Sequence, residues 1–232
     1  MTPTPDRTPP RVPPLSRTTV AEAALRLLNE TGLEKLTLRA IATELDVKAP
    51  ALYWHFKNKQ ELIDEMATEM YRRMARDAPE SLSTLDPGPS APALPWRDRL
   101  LVANRSLRHS LLSYRDGARV FSGSRFTGTD HAEHSEIQLR ALLAAGFGLD
   151  QAVRTLATTF SYTLGFVTEE QGVHPVRGER REGYDVAERG ERLAEFPLSA
   201  AAGTHLFEEY DAHFEEGLQL ILDGVSARYG VR

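Results

Sequence analysis

The chain has 232 residues, no cysteine and 41% hydrophobic residues, and it carries 28 Lys and Arg against 33 Asp and Glu. This length allows one or two domains with a sizeable core. Without cysteine, a disulfide framework, a thiolate metal site and a cysteine nucleophile are excluded. The first residues lack the apolar stretch of a signal peptide, and no apolar run approaches the ~18 residues of a membrane span. We therefore expect a cytoplasmic protein with no membrane partner.

Charge is distributed unevenly along the chain. Residues 1–60 carry nine basic and six acidic side chains, a net charge of +3, which leaves −8 for the remaining residues. A small basic module on a larger acidic body suits a protein that contacts a polyanion with one end only.

Proline divides the chain into segments. Six of the first fourteen residues are proline and five more fall between Pro79 and Pro95, so both stretches should resist helix formation. We predict a disordered arm over residues 1–15, a small module over 16–76, a proline-rich connection over 77–95 and a larger helical body over 96–228. The charged, glycine-rich stretch from Gly172 to about Glu188 predicts a mobile loop.

Within the small module, apolar residues at helical spacing predict helices over residues 20–31, 37–45, 50–56 and 58–76. Thr37 and Asn58 are suitable N-cap residues for the second and fourth of these helices. The second and third helices, with a tight turn between them, have the dimensions of a helix-turn-helix, in which the latter helix enters the DNA major groove.

The third predicted helix carries large polar-tipped aromatic side chains, Tyr53, Trp54 and His55, and Lys57 and Lys59 follow at once. A purely structural helix would seldom expose so many of these groups, so the composition favours DNA binding. A three-helix core without a DNA role remains the alternative.

The segment GLEKLTLRAIATELDVKAPALYWHFKNKQELIDEM, residues 32–66, resembles the DNA-binding domain of the tetracycline repressor (TetR) family. Three further segments resemble the ligand domain of the family's tetracycline-repressor branch: LLSYRDGARVFSG, QLRALLAAGF and YTLGFVTEEQ. The resemblance covers residues 16–228, with 172–203 unmatched. It implies an all-α homodimer with a helix-turn-helix domain joined to a larger ligand-binding and dimerisation domain. It also implies a ligand-released repressor of a double-stranded DNA operator, controlling exporter or biosynthetic genes.

The resemblance implies DNA contacts by ten residues around the two short helices: Thr37, Arg39, Lys48, Ala49, Pro50, Ala51, Tyr53, Trp54, His55 and Lys59. Arg39 suits guanine or phosphate, and Lys59 suits phosphate at the start of the fourth helix. Ala49 departs from the pattern, because the tetracycline repressor has a base-reading Gln there. We therefore expect a different operator sequence.

In the body, apolar spacing predicts helices over residues 96–114, 116–122, 131–145, 150–170 and 204–228, with Asp150 as a possible cap. The two long helices that end near residues 170 and 228 match those that pair across the family's dimer as a four-helix bundle. Without the resemblance, their apolar stripes would be equally typical of ordinary core.

The resemblance also implies an effector pocket formed by Ala75, Ala103, Leu107, Phe121, Ser124, Arg125, Gln138, Phe160, Tyr162, Phe166 and Glu169. Phe121 occupies the metal-ligand position of the tetracycline repressor, but a phenyl ring has no lone pair for a hard cation. Ala75 and Ala103 replace polar drug contacts. We therefore expect no metal and no cofactor, and a largely apolar aromatic effector, antibiotic or polyketide-like, with Phe126 as a further stacking surface. The alternative is that these aromatic side chains fill the core.

An all-α enzyme or ligand carrier without specific DNA binding is the competing class. His131, His134 and Glu136 lie close together, but no third ligand has a diagnostic spacing. We interpret them as a solvated helix start. The sequence has no phosphate-binding glycine loop and no nucleophile elbow, so we expect no catalytic residues.

Overall fold

A computed structural model describes residues 15–83 and 94–231. The predicted arm, apart from Leu15, and residues 84–93 of the proline-rich connection lie outside these ranges. The described chain is all-helical, with twelve helices: α1 (Arg17–Thr31), α2 (Leu38–Glu44), α3 (Ala49–Tyr53), α4 (Lys59–Asp77), α5 (Glu80–Ser83), α6 (Trp96–Leu112), α7 (Gly117–Phe121), α8 (Asp130–Ala144), α9 (Leu149–Val173), α10 (Val186–Arg192), α11 (Pro197–Phe207) and α12 (Tyr210–Tyr229).

Side-chain caps fix where α2 and α4 of the small module begin. The Thr37 hydroxyl accepts a hydrogen bond from Ala40 N at 3.1 Å, and the Asn58 amide oxygen accepts one from Glu61 N at 2.9 Å. Both predicted caps are therefore confirmed. The Glu61 carboxylate in turn accepts a hydrogen bond from Lys57 N at 2.9 Å, one residue before the N–H that a capping box uses.

Two hydrophobic clusters hold the helices together. The first joins α1–α4 to α6, α7 and α9, and its fully buried side chains include Leu28, Ile41, Leu52, Phe56 and Leu62. The second joins α6, α8, α9 and α12 around Trp96, Phe147, Phe214, Leu218 and Leu222. Helix α4 belongs to the small module, yet its C-terminal half lines the body. It is therefore the continuous connection between the two parts.

Several predicted elements are wrong in detail. The proline-rich connection contains the short helix α5. Gly148, rather than Asp150, is the N-cap of α9, and Gln151 accepts a bond from Gly148 N at 2.9 Å. The predicted loop after Gly172 is shorter than expected, because α9 extends to Val173 and α10 begins at Val186.

The last predicted helix, 204–228, is divided in two. Helix α11 ends at Phe207, Glu208 is extended, and Glu209 has a left-handed backbone with φ 50° and ψ 30°. The apolar periodicity continues across this break, which is why the sequence pattern did not reveal it. No helix among the described residues is long and apolar enough to cross a membrane.

Candidate functional site

The surface of α2 and α3 exposes the residues that the sequence assigns to DNA. Tyr53 is 58% exposed and Trp54 is 89% exposed, while Leu52 and Phe56 beside them are fully buried. The buried pair anchors the segment in the core, so the exposed aromatic side chains have no packing role there. An exposed tryptophan next to a tyrosine is suited to a partner surface.

The other predicted DNA-contact residues surround this aromatic pair. Exposed members are Thr37, Arg39, Lys48, Pro50 and Lys59, and half-buried members are Ala49, Ala51 and His55. The Lys59 ammonium donates to Leu33 O at 2.8 Å. It therefore has a structural role in holding the loop before α2, and two N–H donors remain for an anion.

A buried carboxylate lies next to the α3 segment, which is α3 together with the residues that follow it up to Phe56. Glu65 on α4 is 4% exposed and accepts from Arg17 Nε at 2.9 Å and from Arg72 at 3.3 Å. The same Arg17 donates to the carbonyl oxygen of His55 and lies over the Phe56 ring at 4.4 Å. Burial of charged groups is tolerated only with such pairing, so Glu65 fixes Arg17, and Arg17 fixes the end of the α3 segment.

The segment that follows α7, residues 122–129, is attached to α4 by hydrogen bonds from Arg125 and Thr127. Arg125 N donates to Asp64 at 3.1 Å, Thr127 N donates to the Thr68 hydroxyl at 2.9 Å, and the Thr127 hydroxyl donates to Glu65 at 3.0 Å. The 122–129 segment therefore contacts the same carboxylate that orients Arg17.

A cavity of about 300 Å³ lies between α4, α6, α8 and α9. Five of the predicted effector residues line it: Ala103, Leu107, Phe121, Gln138 and Phe160. Phe126, from the 122–129 segment, lies 5.0 Å from Tyr71 and 5.4 Å from Phe121 between ring centroids. The remaining lining residues are Tyr71, Met74, Leu100, Asn104, His131, His134, Ser135, Leu156, Ala157 and Thr159. The cavity is therefore mostly apolar and aromatic.

Some polar groups that line the cavity have hydrogen-bond partners within the protein, and others do not. The Gln138 amide is fully engaged, since its oxygen accepts from Arg99 at 2.9 Å and its nitrogen donates to Leu82 O at 3.1 Å. Two buried atoms, the Tyr71 hydroxyl and His131 Nδ1, have no hydrogen-bond partner in the described part of the chain. Unpaired buried polar atoms are costly, so these two groups are better suited than Gln138 to anchor a ligand.

Burial sets the protonation states on the cavity wall. Burial, reinforced by the charge of Asp130, raises the pKa of Tyr71 to about 12, so its hydroxyl is a neutral donor at pH 7. Burial, with the nearby Arg99, lowers the pKa of His134 below 6.5, so its ring is neutral. These two groups of the wall are therefore uncharged at pH 7.

Six predicted effector residues lie outside this cavity: Ala75, Ser124, Arg125, Tyr162, Phe166 and Glu169. The Ser124 hydroxyl donates to Val120 O at 2.6 Å. Tyr162 stacks on Phe214 at 5.6 Å, and its hydroxyl donates to Phe214 O at 3.0 Å. Tyr162, Phe166 and Glu169 instead line a separate groove of about 570 Å³ beside α11 and α12.

The solvated helix start assigned to His131 and His134 is wrong. Both side chains are half-buried and line the cavity, whereas Glu136 is exposed and pairs with Arg140 at 2.7 Å. Helix α8 directs one face inward, and a histidine count alone does not reveal which face that is. Sequence reasoning also missed Tyr71, which lies on α4 one turn before the predicted Ala75 and lines the cavity where Ala75 does not. The sequence pattern does not show which face of α4 turns toward the cavity.

Comparison with known proteins places both parts of the chain in one family. Residues 20–66 match the bacterial regulatory proteins of the tetR family, and residues 88–229 match the tetracyclin repressor-like C-terminal domain. The tetracycline repressor protein class A from transposon 1721 of Escherichia coli is 41% identical over 218 residues, covering 92% of this chain and 92% of that protein.

Solved structures agree with these matches. A possible TetR family transcriptional regulator from Streptomyces coelicolor A3(2) has a TM-score of 0.76 at 35% identity, covering 91% of this chain and 99% of that chain. TetR(class A) in complex with 5a,6-anhydrotetracycline and magnesium has a TM-score of 0.63 at 37% identity, with 92% and 99% coverage. The chain therefore belongs to the tetR family of bacterial regulatory proteins, in its tetracycline-repressor-like branch, and is a regulator rather than an enzyme.

Proposed function

We propose that this protein is a ligand-responsive transcriptional repressor that acts in the cytoplasm and binds a pseudo-palindromic DNA operator as a homodimer. A compact aromatic effector releases it. The observation that carries the proposal is the hydrogen-bond connection between the exposed α3 segment and the wall of the cavity, through Arg17, Glu65 and Thr127. Exporter or biosynthetic genes are the proposed targets.

The DNA contacts follow from the exposed surface. Tyr53 and Trp54 are placed to meet thymine methyl groups and backbone sugars, and Arg39 and Lys48 supply positive charge beside them. Ala49 has no hydrogen-bond donor, so the base opposite it is read by contact alone. The dimer would place two α3 segments about one helical turn, ~34 to 36 Å, apart.

The proposed effector is neutral, aromatic and compact. A volume of about 300 Å³ lies at the lower end of small-molecule pockets, and the lining rings of Phe121, Phe126 and Phe160 favour stacking. The Tyr71 hydroxyl would donate to an oxygen or nitrogen acceptor on the effector. His131 Nδ1 would accept a hydrogen bond from a hydroxyl or N–H group of the effector in one tautomer, and would donate a hydrogen bond to it in the other.

A magnesium chelate does not fit this cavity in the manner of the relative solved with one. Phe121 is buried against Phe126 and lies 6.2 Å from Phe160 between ring centroids, and phenyl rings cannot serve as ligands for a hard cation. The effector is therefore proposed to bind directly. Its affinity should be the same in a chelating agent and in excess magnesium, within a factor of about three, which is under ~0.7 kcal/mol.

Release requires that the effector favour a conformation unable to bind the operator. An effector that displaces Phe126 would displace Thr127 next to it, and the Thr127 hydroxyl bond to Glu65 would lengthen. Glu65 Oε2 would then lose a contact that fixes the position of the carboxylate, so Arg17 and the α3 segment would be free to shift relative to α4. Binding in the cavity would thus lower operator affinity without direct contact with DNA.

Selection from a random duplex pool tests the proposal. The selected duplexes should share an inverted repeat, and footprinting should show protection of both half-sites on one face of the helix. Screening neutral aromatic compounds by calorimetry, followed by operator release, then tests the effector half. Recovery of no common sequence at moderate salt would refute the DNA half, since phosphate contacts alone are not sequence-selective.

A further inference from the structure

Two histidines and a glutamate converge where α11 meets α12. His205 lies in the last turn of α11, Glu209 lies between the helices, and His213 lies in the first turn of α12. One potential ligand atom from each side chain lies within 4.8 Å of the others, and the two imidazole centroids are 6.2 Å apart. None of the three residues lines the cavity or belongs to the predicted DNA contacts, so the proposed function does not account for the group.

The break in the helix creates this convergence. In a continuous helix, residues 205 and 213 would be separated by eight residues, about 12 Å along the axis. The extended Glu208 and the left-handed Glu209, with φ 50°, instead break the helix, and the two histidine side chains approach each other across the break. A left-handed glutamate is uncommon, and such backbone geometry persists where surrounding interactions maintain it.

We propose that His205, Glu209 and His213 form a binding site for a divalent transition metal ion, with zinc as the ion of choice. Two imidazole nitrogens and one carboxylate oxygen are ligands that zinc accepts, at bond lengths of about 2.0–2.2 Å. Magnesium and calcium require oxygen ligands instead. A tetrahedral site needs ligand atoms roughly 3.4 Å apart. The exposed side chains of His205 and Glu209 can close the remaining distance by rotation.

The surroundings favour a cation over an anion. Glu208 and Asp211 lie between the ligands in sequence, and Glu169 lines the same groove as both histidines. Asp211 is paired with Arg108 at 2.6 Å, but Glu169 and Glu208 contribute negative charge close to the three ligands. Because the protein provides three ligands, a fourth position remains for water or for an oxygen from a molecule in the groove.

The ion would fix the junction between the two helices. His205 belongs to α11 and His213 to α12, so a metal ion bound to both would hold the two helices in the broken arrangement seen here. An ion that binds only this arrangement must stabilise it against the continuous helix. Metal binding at this site would therefore stabilise the position of α11 relative to α12.

A zinc titration of the full-length protein, prepared without a histidine tag and stripped with a chelator, tests the proposal. The wild type should bind one zinc ion per chain with a micromolar or lower Kd. His205→Ala and His213→Ala should each weaken binding at least tenfold, and Glu209→Gln should weaken it several-fold. His109→Ala, which removes a histidine of α6 outside the group, should bind like the wild type.

Two further measurements separate ligation from a folding defect. Without metal, all variants should melt at the same temperature as the metal-free wild type. Zinc should raise the melting temperature of the wild type and of His109→Ala, but not that of the variants of the three ligand residues. Cobalt substitution should give the visible bands of a tetrahedral site, and both histidine substitutions should abolish them. Equal zinc affinity in His205→Ala and His109→Ala, or no stoichiometric binding by the folded wild type, would overturn the proposal. Neither result would bear on operator binding.

Discussion

Tyr71 and His131 determine the polar character of the effector cavity. Both line it, and each has one buried polar atom without a hydrogen-bond partner in the described residues. An unmatched buried hydroxyl typically costs about 1–3 kcal/mol, so the free protein carries a penalty that a bound acceptor would remove.

Tyr71→Phe should therefore weaken effector binding about tenfold, which corresponds to ~1.4 kcal/mol, while the melting temperature stays equal or rises. Calorimetry and thermal denaturation measure the two effects. Tyr114→Phe is a matched control, because its hydroxyl accepts from Arg73 at 3.4 Å and does not line the cavity. Unchanged effector affinity in Tyr71→Phe would show that the phenol makes no polar contact with the ligand.

His134 gives the cavity wall a dependence on pH. Burial lowers its folded-state pKa below 6.5, so the unfolded chain takes up a proton before the folded chain does. Stability should therefore fall as the pH decreases from about 6.5 toward the lower folded-state pKa. His134→Gln should flatten this part of the curve of melting temperature against pH. Parallel curves for the variant and the wild type would contradict the buried, neutral histidine.

At the scale of elements, the 122–129 segment is the proposed link between the cavity and α4. Gly117 is not a suitable place to perturb it, because a Cβ there would lie 2.1 Å from Leu111 O, and any side chain would disturb the start of α7. Thr127 is suitable, since its hydroxyl bond to Glu65 can be removed with little change of volume.

Thr127→Val should leave effector affinity within about twofold of the wild type. It should lower operator affinity in the absence of effector, because the bond to Glu65 that the effector breaks is already missing, and it should reduce the further effector-induced loss of operator affinity by at least threefold. Parallel titrations of effector and operator measure both quantities. Thr129→Val, two residues further along, serves as the control. Full release by the Thr127 variant would place the coupling elsewhere.

The sequence predicted the elements well where local chemistry defines them. Thr37 and Asn58 mark helix starts because a side-chain oxygen caps a specific N–H, and this is readable from residue type. The sequence does not predict the break at Glu209. A left-handed backbone is usually indicated by a glycine, which is absent here, and the apolar spacing continues through the break. The same break hid the His205, Glu209 and His213 group, whose spacing of four appears helical.

The cavity was predicted only in part. Phe121, Gln138 and Phe160 were identified through the family resemblance, and they line it. Tyr162 and Phe166 were expected to be stacking surfaces for an aromatic effector, but they pack against the second hydrophobic cluster. Which face of α8 and α9 turns inward depends on packing between helices that are distant in sequence, and a periodic pattern does not specify it.

At the scale of the whole molecule, one protomer leaves apolar surface uncovered on the two long helices. Leu220 on α12 is 67% exposed and Val153 on α9 is 48% exposed, although Leu218 and Leu222 on either side of Leu220 are buried. Leu149 and Phe160 on α9 are exposed as well, and uncovered apolar surface on both long helices is in line with the proposed homodimer.

Leu220→Arg should raise the dimer dissociation constant at least tenfold, because it would place a charge on each side of a symmetric interface. Light scattering coupled to size exclusion measures the change. Leu143→Arg, on a 42% exposed leucine of α8, should remain dimeric. Retention of the dimer by Leu220→Arg at micromolar concentration would move the interface to another face.

The central claim is sequence-specific DNA binding by the exposed α3 segment. Fluorescence anisotropy across a range of salt concentrations tests it most directly, with the selected operator, a scrambled duplex and the variant Tyr53→Ala. The wild type should prefer the operator at least a thousandfold, and Tyr53→Ala should reduce this preference at least tenfold. The salt dependence of operator affinity should be the same for Tyr53→Ala as for the wild type, since the phosphate contacts remain. Equal wild-type affinity for both duplexes at moderate salt would contradict the account.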